Sequence, residues 1–427
     1  MKTYEEIINM KQLENNGLKV VDLFCGGGLG AIGIVRAGYN IVYAIDNNKD
    51  AVATYNQNIG NHCHLTDIRT LNISELPDFD ILMGSPVCKS FSFAGNNKGF
   101  EDEKYGDLSY YYLQVLKEKK PKAFVFENVK GMVSKKHKAY FDELIKAFEE
   151  LGYDINYKIV NAHHWGVPQL RERLLIVGIR KDFDKTFEFP DDVQKRLAIR
   201  DVLSDLPEPK MVMNSSKDIQ YINQNTVSNP NHIGFGLRKD EQSYIDEIPS
   251  GGNWKDLSEE DAKQFLGKAY YSGGGKTGFL RKVNINKPAY TITSFMNGKN
   301  NSQIIDDIDF YVHNQNIYYE GGYSPRYTSR NRQKQWDSPS FTIVSEARQL
   351  PLYPTPSHYD IRQIENLDIA PPRRFTVREC LRLQSVPDTF VIDENIHLTK
   401  QYTIVGNGIP SLITYRIFNK LKEFILK

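Results

Sequence analysis

The chain has 427 residues, enough to bury a sizeable core, and we expect two domains. Hydrophobic residues make up 40% and charged residues 25%, as in ordinary globular proteins, and a net charge of +1 excludes a polycation, so any nucleic-acid surface must be local. The N-terminus mixes Lys and Glu with isolated apolar residues, unlike a signal peptide, and no apolar run approaches the length of a membrane span.

The four cysteines are scattered and include no Cys-x-x-Cys pair, which indicates a reducing, cytoplasmic setting without a disulfide framework or a zinc site. His62 and His64 flank Cys63 and look like metal ligands. Because alternate positions of a strand point to opposite faces, we expect no metal there.

The first predicted element is a buried strand at residues 19–24, followed by a glycine-rich turn at 25–30 that opens a helix. This order lets a backbone approach a nucleotide-like ligand closely, although some such turns are simple tight bends. A second strand at 41–45 precedes Asp46, at the spacing of a carboxylate that binds ribose hydroxyls. Asp67, after the third strand, could accept a hydrogen bond from an adenine amino group. Because no phosphate-binding cation accompanies the turn, an adenosyl group without phosphates fits better than a dinucleotide.

A short apolar run at residues 79–83 predicts a buried parallel strand that ends in Gly84-Ser85-Pro86. Cys88 follows at the carboxyl end of this strand, where open α/β sheets bind ligands, so its thiol is a candidate nucleophile. A small buried hydrophobic side chain is the ordinary alternative for a single cysteine. Residues 90–99 carry Gly, Asn and Lys without a period and are interpreted as a loop, mobile or ordered.

A predicted helix, Leu108–Lys119, leads to a buried strand at residues 123–126, which brings Glu127 to the same sheet edge as Cys88. A carboxylic acid at such an edge could donate a proton near neutral pH. A surface acid that starts a turn is the alternative.

Three polar residues alternate along the connection between two later strands: Gln169, Arg171 and Arg173. Alternate residues share a face, and two guanidiniums on one face suit phosphate and carbonyl oxygens. A solvated charge pair with Glu172 is the ordinary interpretation.

After about residue 190 the composition shifts toward Pro, Asn, Ser, Gly and Tyr, which predicts a β-rich, irregular region that continues to about residue 372. Between Tyr323 and Trp336 the cations Arg326, Arg330, Arg332 and Lys334 occur without an acid. Cations hold phosphates, and Arg, Asn and Gln contact base edges, so this run favours nucleic-acid contact over a solvated face. Further helices are predicted at Tyr140–Leu151, Asp201–Leu206 and Glu259–Leu266, from about Val377 to Leu383, and at Ser411–Ile425.

Taken together, the ordered motifs resemble those of the C5-cytosine DNA methyltransferase family over nearly the whole chain. The matching motifs are Asp22-Leu23-Phe24-Cys25-Gly26-x-Gly28, Pro86-Val87-Cys88, Glu127-Asn128-Val129, Gln169-x-Arg171-x-Arg173, Arg373-x-x-Thr376-x-Arg378-Glu379-Cys380 and Gly406-Asn407. Leu29 stands where a third glycine is common, and Gly408 where the family usually has Ser or Ala.

The resemblance implies a Rossmann-like, S-adenosyl-L-methionine-dependent domain at residues 17–189 plus 395–427, and a smaller, β-rich target-recognition domain at 190–394. It implies catalytic roles for Cys88, Glu127, Arg171 and Arg173. It implies cofactor contacts from Asp22, Phe24, Gly26, Gly28, Asp46, Asp67, Pro86, Leu108 and Asn407, and DNA contacts from Gln169, Arg326, Arg330 and Arg332.

The predicted activity is methyl transfer to C5 of a cytosine flipped out of a short duplex DNA site, as part of a restriction-modification system. We expect a monomeric, cytoplasmic protein that needs neither a metal nor a membrane. An RNA cytosine methyltransferase and a catalytically silent DNA-binding regulator with the same fold remain alternatives. The long region at residues 190–372 argues against the first, because a large recognition module suits duplex DNA.

Overall fold

The structure is a computed structural model. It describes residues 4–86, 108–194 and 375–426 continuously, and between the last two ranges residues 196–203, 205–206, 210–212, 231, 233–235, 243–244, 247–249, 253–271, 281–282, 303–304 and 340–341. Several predictions concern residues outside these ranges, namely Cys88, the loop at 90–99, and Arg326, Arg330 and Arg332.

The strands are β1 (Lys19–Leu23), β2 (Asn40–Asp46), β3 (Cys63–Leu65), β4 (Ile81–Gly84), β5 (Ala123–Val129), β6 (Tyr153–Asn161), β7 (Gln169–Leu170), β8 (Glu172–Arg180), β9 (Lys210–Val212), β10 (Ile233–Phe235), β11 (Arg281–Lys282), β12 (Gln303–Ile304) and β13 (Ser340–Phe341). The α-helices are α1 (Tyr4–Ile8), α2 (Leu29–Arg36), α3 (Lys49–Asn58), α4 (Leu108–Lys119), α5 (Lys138–Glu150), α6 (Ile199–Leu203), α7 (Glu259–Leu266), α8 (Val377–Leu383), α9 (Leu398–Asn407) and α10 (Ser411–Ile425). The predicted bounds of α4, α7, α8 and α10 are confirmed. Helix α5 begins two residues and ends one residue earlier than predicted, and α6 begins two and ends three residues earlier.

The chain divides into two compact units, and the first, here called the sheet unit, comprises residues 8–167, 171–195 and 408–427. Its seven-stranded sheet has the order β3-β2-β1-β4-β5-β8-β6. Strands β1 to β5 pair in parallel, whereas β8 is antiparallel to both neighbours. The strand order reverses beside β1, which is where open α/β sheets form a ligand crevice beyond the carboxyl ends of their strands. This architecture confirms the predicted Rossmann-like fold class.

The core of the sheet unit follows from the apolar runs of the central strands. Both faces of β1, β4 and β5 are covered, so these strands are almost continuously buried. Strand β5 continues three residues beyond the predicted end because β8 pairs with it as far as Val129 opposite Arg173. Glu127 therefore lies within a strand and is not the start of a turn.

Tyr112 of α4 sets the shape of the turn that follows β4. Its hydroxyl donates to the carbonyls of Leu82 and Val125, each at 3.2 Å, and its ring packs edge-on against Phe126. A Cβ on Gly84 would lie only 2.5 Å from this ring, so the last position of β4 requires glycine. The ring thus fixes where Ser85 and Pro86 leave the sheet.

The C-terminal helix packs on the helix that follows the glycine-rich turn. Ser411 Oγ donates to the carbonyl of Leu29 at 2.8 Å, and Thr414 Oγ1 donates to that of Gly30 at 2.7 Å. These hydroxyls satisfy carbonyls of the first turn of α2 from outside. The last part of the chain is therefore built into the sheet unit beside the glycine-rich turn.

The second unit comprises residues 1–7, 168–170 and 196–407. Its described parts contain short helices as well as three two-stranded parallel ladders, β9–β10, β11–β12 and β7–β13. Arg382 of α8 is buried, stacks over the Tyr4 ring at 4.6 Å, and forms ion pairs with Asp205 and Asp388. A small apolar cluster surrounds Phe265 of α7.

Among the described residues, none of the helices combines the length and apolarity needed to cross a bilayer. Within the same residues no group of three His, Cys, Asp or Glu side chains is arranged to hold a metal ion. His62 bonds to the Tyr55 hydroxyl at 3.0 Å, while His64 stacks on Tyr43. The two histidines therefore have separate partners.

Candidate active site

Four parallel strands deliver polar residues to one edge of the sheet. The register aligns Leu23 of β1 with Ile45 of β2 and with Gly84 of β4, and Gly84 in turn with Phe126 of β5. The residues that follow these positions therefore emerge together beyond the carboxyl ends of the strands. They are the Phe24–Gly28 turn, Asp46, the Ser85-Pro86 pair and Glu127.

The glycine-rich turn uses left-handed backbone at three positions, with φ of 59° at Phe24, 56° at Gly26 and 90° at Gly28. A Cβ on Gly26 would meet nothing within 4 Å, so this glycine leaves open space in front of the backbone. A Cβ on Gly28 would press on Ile59 and Tyr55 at 3.0 and 3.1 Å. Gly26 thus permits the close approach of a ligand, and Gly28 permits close packing behind it.

Asp46 ties this turn to the end of β2. Its Oδ2 accepts from the Gly26 amide at 2.9 Å, and its Oδ1 accepts from the Asn48 amide at 2.9 Å. Burial raises the pKa of Asp46, while these amide donors act in the opposite direction. The Asn47 amide also donates to this carboxylate, and a carboxylate with about four acceptor positions still has capacity for a ribose hydroxyl.

Asp22 lies buried in β1 between Ala44 of β2 and Met83 of β4. Burial, and secondarily the charge of Asp46, raises the pKa of Asp22 to about 8. The carboxyl is therefore protonated near neutral pH, and an approaching cation would favour its ionised form. This pair of acids beside an open glycine backbone fits a ligand with ribose hydroxyls and positive charge.

Asp67 follows β3, as predicted, but its carboxylate is already engaged by Arg69. The guanidinium donates to Oδ1 at 2.9 Å and to Oδ2 at 2.6 Å, and the Arg69 amide also donates to Oδ1. This side-chain pairing lowers the pKa of Asp67. An adenine contact from Asp67 would have to compete with that ion pair.

Glu127 is the centre of the second cluster, here called the Glu127 centre and formed by Glu127, Arg173 and Ser85. The carboxylate is 5% exposed. Its Oε1 lies 2.9 Å from Arg173 Nε, and its Oε2 accepts from Ser85 Oγ at 2.6 Å. Burial lowers the pKa of Arg173, which Glu127 partly offsets, so the guanidinium stays charged. An acid and a cation are thus held together at the strand edge.

Sequence reasoning missed Ser85, and it could have been found. The residue follows Gly84 directly, and β4 and β5 are adjacent strands in an open sheet, so a hydroxyl there falls next to the residue after Phe126. Asn128 of β5 reinforces this junction, because its Nδ2 donates to the carbonyl of Pro86 at 3.3 Å. Pro86 itself is buried. The segment that leads toward position 88 is therefore anchored to β5.

The side chains of Gln169, Arg171 and Arg173 have different hydrogen-bond partners. Gln169 is fully buried, and its Nε2 donates to the Leu383 carbonyl at 3.0 Å and to Gln384 Oε1 at 3.2 Å. These two bonds hold the Gln169 side chain at the end of α8, and its DNA contact stays a prediction. Strand β7 ends at Leu170 and β8 begins at Glu172, so Arg171 lies between the two strands.

Arg171 interacts electrostatically with two members of the Glu127 centre, Glu127 and Arg173. It is 2% exposed, and its Nη2 donates to the Gly408 carbonyl at 3.1 Å. Burial, with the Arg173 charge, lowers the pKa of Arg171 well below its usual range, while the Glu127 charge acts in the opposite direction. Its contact positions Gly408, and its catalytic role stays a prediction.

The contact beyond Gly408 explains the two departures from the family pattern. A Cβ on Gly408 would lie 2.5, 2.9 and 3.0 Å from Cδ2, Cβ and Cγ of Leu29. Leu29, fully buried at the start of α2, therefore occupies the space that a side chain at 408 would need. The larger Leu29, where a glycine is common, is compensated by the smaller Gly408, where Ser or Ala is usual.

Two further residues predicted to contact the cofactor, Leu108 and Asn407, lie within the described part of the chain. Leu108 is buried at the first position of α4, and Asn407 is exposed at the end of α9.

The fold is that of the Rossmann-like methyltransferases. It matches the solved structure of the Entamoeba histolytica methyltransferase EhMeth with a TM-score of 0.52 at 15% identity, over 96% of this chain and 99% of that one. The family is defined by sequence. The chain belongs to the C-5 cytosine-specific DNA methylase family, whose model matches residues 18–423.

Similar proteins cover nearly the same length. The type II methyltransferase M.MthTI of Methanothermobacter thermautotrophicus is 30% identical over 411 residues, which is 95% of this chain and 97% of that protein. The type II methyltransferase M.FnuDI of Fusobacterium nucleatum is 31% identical over 413 residues, 95% and 94% respectively. The predicted family and its activity, cytosine-C5 methyl transfer to DNA, are confirmed, and the RNA alternative is not favoured.

Proposed function

We propose that the protein transfers a methyl group from S-adenosyl-L-methionine to C5 of a cytosine flipped out of a short, specific duplex DNA site. The observation that carries this proposal is the Glu127 centre, in which Ser85 and Arg173 hold the buried Glu127 carboxylate of β5. Ser85 follows β4 directly and stands three residues before Cys88 in the sequence. We further propose, from the type II relatives, that it is the modification enzyme of a restriction-modification system and works in the cytoplasm, where such DNA lies.

The glycine-rich turn fits the cofactor. Gly26 leaves its approach open, Asp46 offers lone pairs to ribose hydroxyls, and the buried Asp22 favours a positively charged ligand. When bound, S-adenosyl-L-methionine supplies the methyl group as an electrophile. Its positive charge matches two acids better than a phosphate-bearing dinucleotide would.

The remaining steps belong to residues of this chain. Cytosine C5 is a poor nucleophile, and attack of the Cys88 thiolate on C6 would make C5 an enamine-like carbanion. Glu127 would hold a proton at N3 of the ring, and Arg173 would hold the O2 side. Loss of the C5 proton with β-elimination then releases Cys88. The ion pair between Arg173 and Glu127 holds both side chains in position during these steps.

We assign cofactor binding and chemistry to residues 17–189 with 395–427, and DNA recognition to residues 190–394. The run Arg326, Arg330 and Arg332 is proposed to contact DNA because of its composition. Flipping the target base costs a few kcal/mol of unpairing and unstacking, which DNA contacts must offset. This division predicts that DNA binding and chemistry can be separated by substitution.

Methyl transfer to duplex DNA from a tritium-labelled cofactor tests the chemistry. Cys88→Ala should abolish transfer but retain specific DNA binding. Glu127→Gln should lose about 100-fold or more of the rate with nearly unchanged cofactor affinity. Glu172→Gln is the matched control, because Glu172 is an exposed acid of the same strand region, paired with Lys130. Full activity of Cys88→Ala would refute the assignment.

The alternatives give different results in the same assay. Transfer to tRNA and not to duplex DNA would indicate an RNA methyltransferase, and sequence-specific binding without transfer would indicate a silent regulator. Sequencing of plasmid DNA for modified cytosines after expression would identify the recognition site. A cytosine modified at C5 in one short sequence context is the expected result.

A further inference from the structure

Two cysteines that the proposed mechanism does not use lie in contact within the sheet unit. Cys25 Sγ and Cys63 Sγ are 3.3 Å apart. Cys25 is partly exposed in the glycine-rich turn, whereas Cys63 is buried at the start of β3. Both are free thiols, and 37 residues separate them along the chain, so the tertiary structure alone brings them together.

The two cysteines lie in different backbone settings, Cys63 in a strand and Cys25 in a turn. Asn56 brackets Cys63, accepting from its amide at 3.0 Å and donating to its carbonyl at 2.9 Å. Cys63 also pairs with Ala44 of β2. Cys25 makes two backbone bonds, its amide donating to the Ile45 carbonyl at 3.1 Å and its carbonyl accepting from the Gly28 amide at 3.2 Å. It lies in a turn, and the Gly26 that follows it has a left-handed φ and open space in front of it. If the sulfurs move closer, the turn should move more than the strand.

We propose that Cys25 and Cys63 form an oxidative modification site, a reversible disulfide that closes across the cofactor turn. The oxidant is a hydroperoxide, with hydrogen peroxide the simplest case. Peroxide oxidises the more accessible Cys25 to a sulfenic acid and releases one water, and Cys63 sulfur then displaces hydroxide from it. In sum, two S–H bonds and one O–O bond break, one S–S bond forms, and two electrons and two protons leave as part of two waters.

The cross-link should disturb the turn that the proposed function assigns to the cofactor, so this consequence rests on that function. A disulfide needs about 2.05 Å between its sulfurs, so the pair must close by about 1.2 Å. Because Cys63 belongs to a strand paired with β2 and is held by Asn56, whereas Gly26 beside Cys25 faces open space, the displacement falls on Phe24, Cys25 and Gly26. A backbone shift of this size beside a bound ligand weakens its contacts, so the oxidised protein should bind the cofactor less tightly. By linkage, bound cofactor should disfavour the cross-link at equilibrium.

Peptide mass spectrometry on the full chain tests the site without reference to activity. Burial and contact with Cys63 raise the pKa of the Cys25 thiol, so peroxide exposure should last hours. We expect a dithiothreitol-reversible Cys25–Cys63 peptide pair. Cys63→Ser should lack it, and the buried Cys380 should stay unmodified in both proteins. Other oxidation products without this pair would overturn the proposal.

Calorimetric titration with S-adenosyl-L-methionine tests the consequence in the Cys88→Ser background, where the proposed nucleophile cannot react. We expect at least a tenfold rise in the dissociation constant on oxidation, reversed by dithiothreitol and absent when Cys63→Ser is added. Cross-linked protein with unchanged affinity would overturn the effect on the turn. Reduced protein that fails to bind the cofactor would instead contradict the proposed function and leave the disulfide result standing.

Discussion

The contact between Leu29 and Gly408 makes a prediction that sequence comparison alone could not make. Gly408 has no positive φ, so its backbone accepts a side chain, and only Leu29 stands in the way. Gly408→Ala restores a residue usual in the family, yet here the new methyl would lie 2.9 Å from Leu29 Cβ, an atom close to the backbone. Leu29 cannot avoid it by turning its side chain, so α2 must shift.

Overpacking of this kind costs about 1–3 kcal/mol of unfolding free energy. Leu29→Ala alone should cost about 2–5 kcal/mol, because a fully buried leucine is lost. Leu29→Ala removes the Cδ2 and Cγ atoms that a methyl at 408 would meet at 2.5 and 3.0 Å, and only the 2.9 Å contact with Cβ remains in the double variant. The two costs should therefore not add in full. We expect an interaction energy of about 1 kcal/mol or more in favour of the double variant.

Urea unfolding of the four proteins measures this energy, and the dissociation constant for S-adenosyl-L-methionine reports on the turn itself. Gly408→Ala should weaken cofactor binding about fivefold, or about 1 kcal/mol, and Leu29→Ala should recover part of that loss. Gly30→Ala is the matched control, since its methyl would meet Thr414 and Ile409 at ordinary distances of 3.4 and 3.5 Å. If Gly408→Ala costs the same free energy in the presence of Leu29 and in the Leu29→Ala background, the steric explanation is refuted.

Three further predictions concern the two clusters. Ser85→Ala removes one partner of the Glu127 carboxylate and should lower the transfer rate about tenfold with little change in cofactor affinity, as single-turnover assays would show. Because a cation favours ionised Asp22, whose pKa lies near 8 in the free protein, cofactor affinity should rise with pH by up to about tenfold per unit and level off above pH 8. Asp22→Asn should flatten this profile in calorimetric titrations from pH 6 to 9, and an unchanged profile would contradict the assignment. Arg171→Met should raise the cofactor dissociation constant and leave the rate at saturation unchanged, whereas Arg173→Met should lower that rate. Equal rate losses in the two variants would indicate that Arg171 is catalytic as well.

Local pattern was enough for the elements and their order. Apolar runs bounded by turn residues predicted β1 and β4, and the bounds of α4, α7, α8 and α10 agreed with the structure. Such features depend on the period of apolar side chains and on residues that begin or end a helix, such as the Thr376–Glu379 capping box before α8. The order of the motifs likewise identified the family, because it can be read from the sequence without knowing any distance between residues.

The side-chain partners could not be predicted because they depend on residues far apart in the chain. The spacing of Gln169, Arg171 and Arg173 suggested one strand face, but each side chain has a different partner, at Leu383, Gly408 and Glu127. These partners come from segments more than 40 residues away in the chain, which the local spacing cannot indicate.

Packing between distant segments decided the rest. Leu29 and Gly408 each looked like a separate departure from the family, and only their contact shows that one compensates for the other. Cys25 and Cys63 looked scattered until β2 and β3 brought their sulfurs within 3.3 Å. The sequence determined which side chains the protein carries and on which helix or strand each one lies, because helices and strands depend on residues close together in the chain. Tertiary structure decided which groups meet, because close packing joins residues that the chain keeps apart.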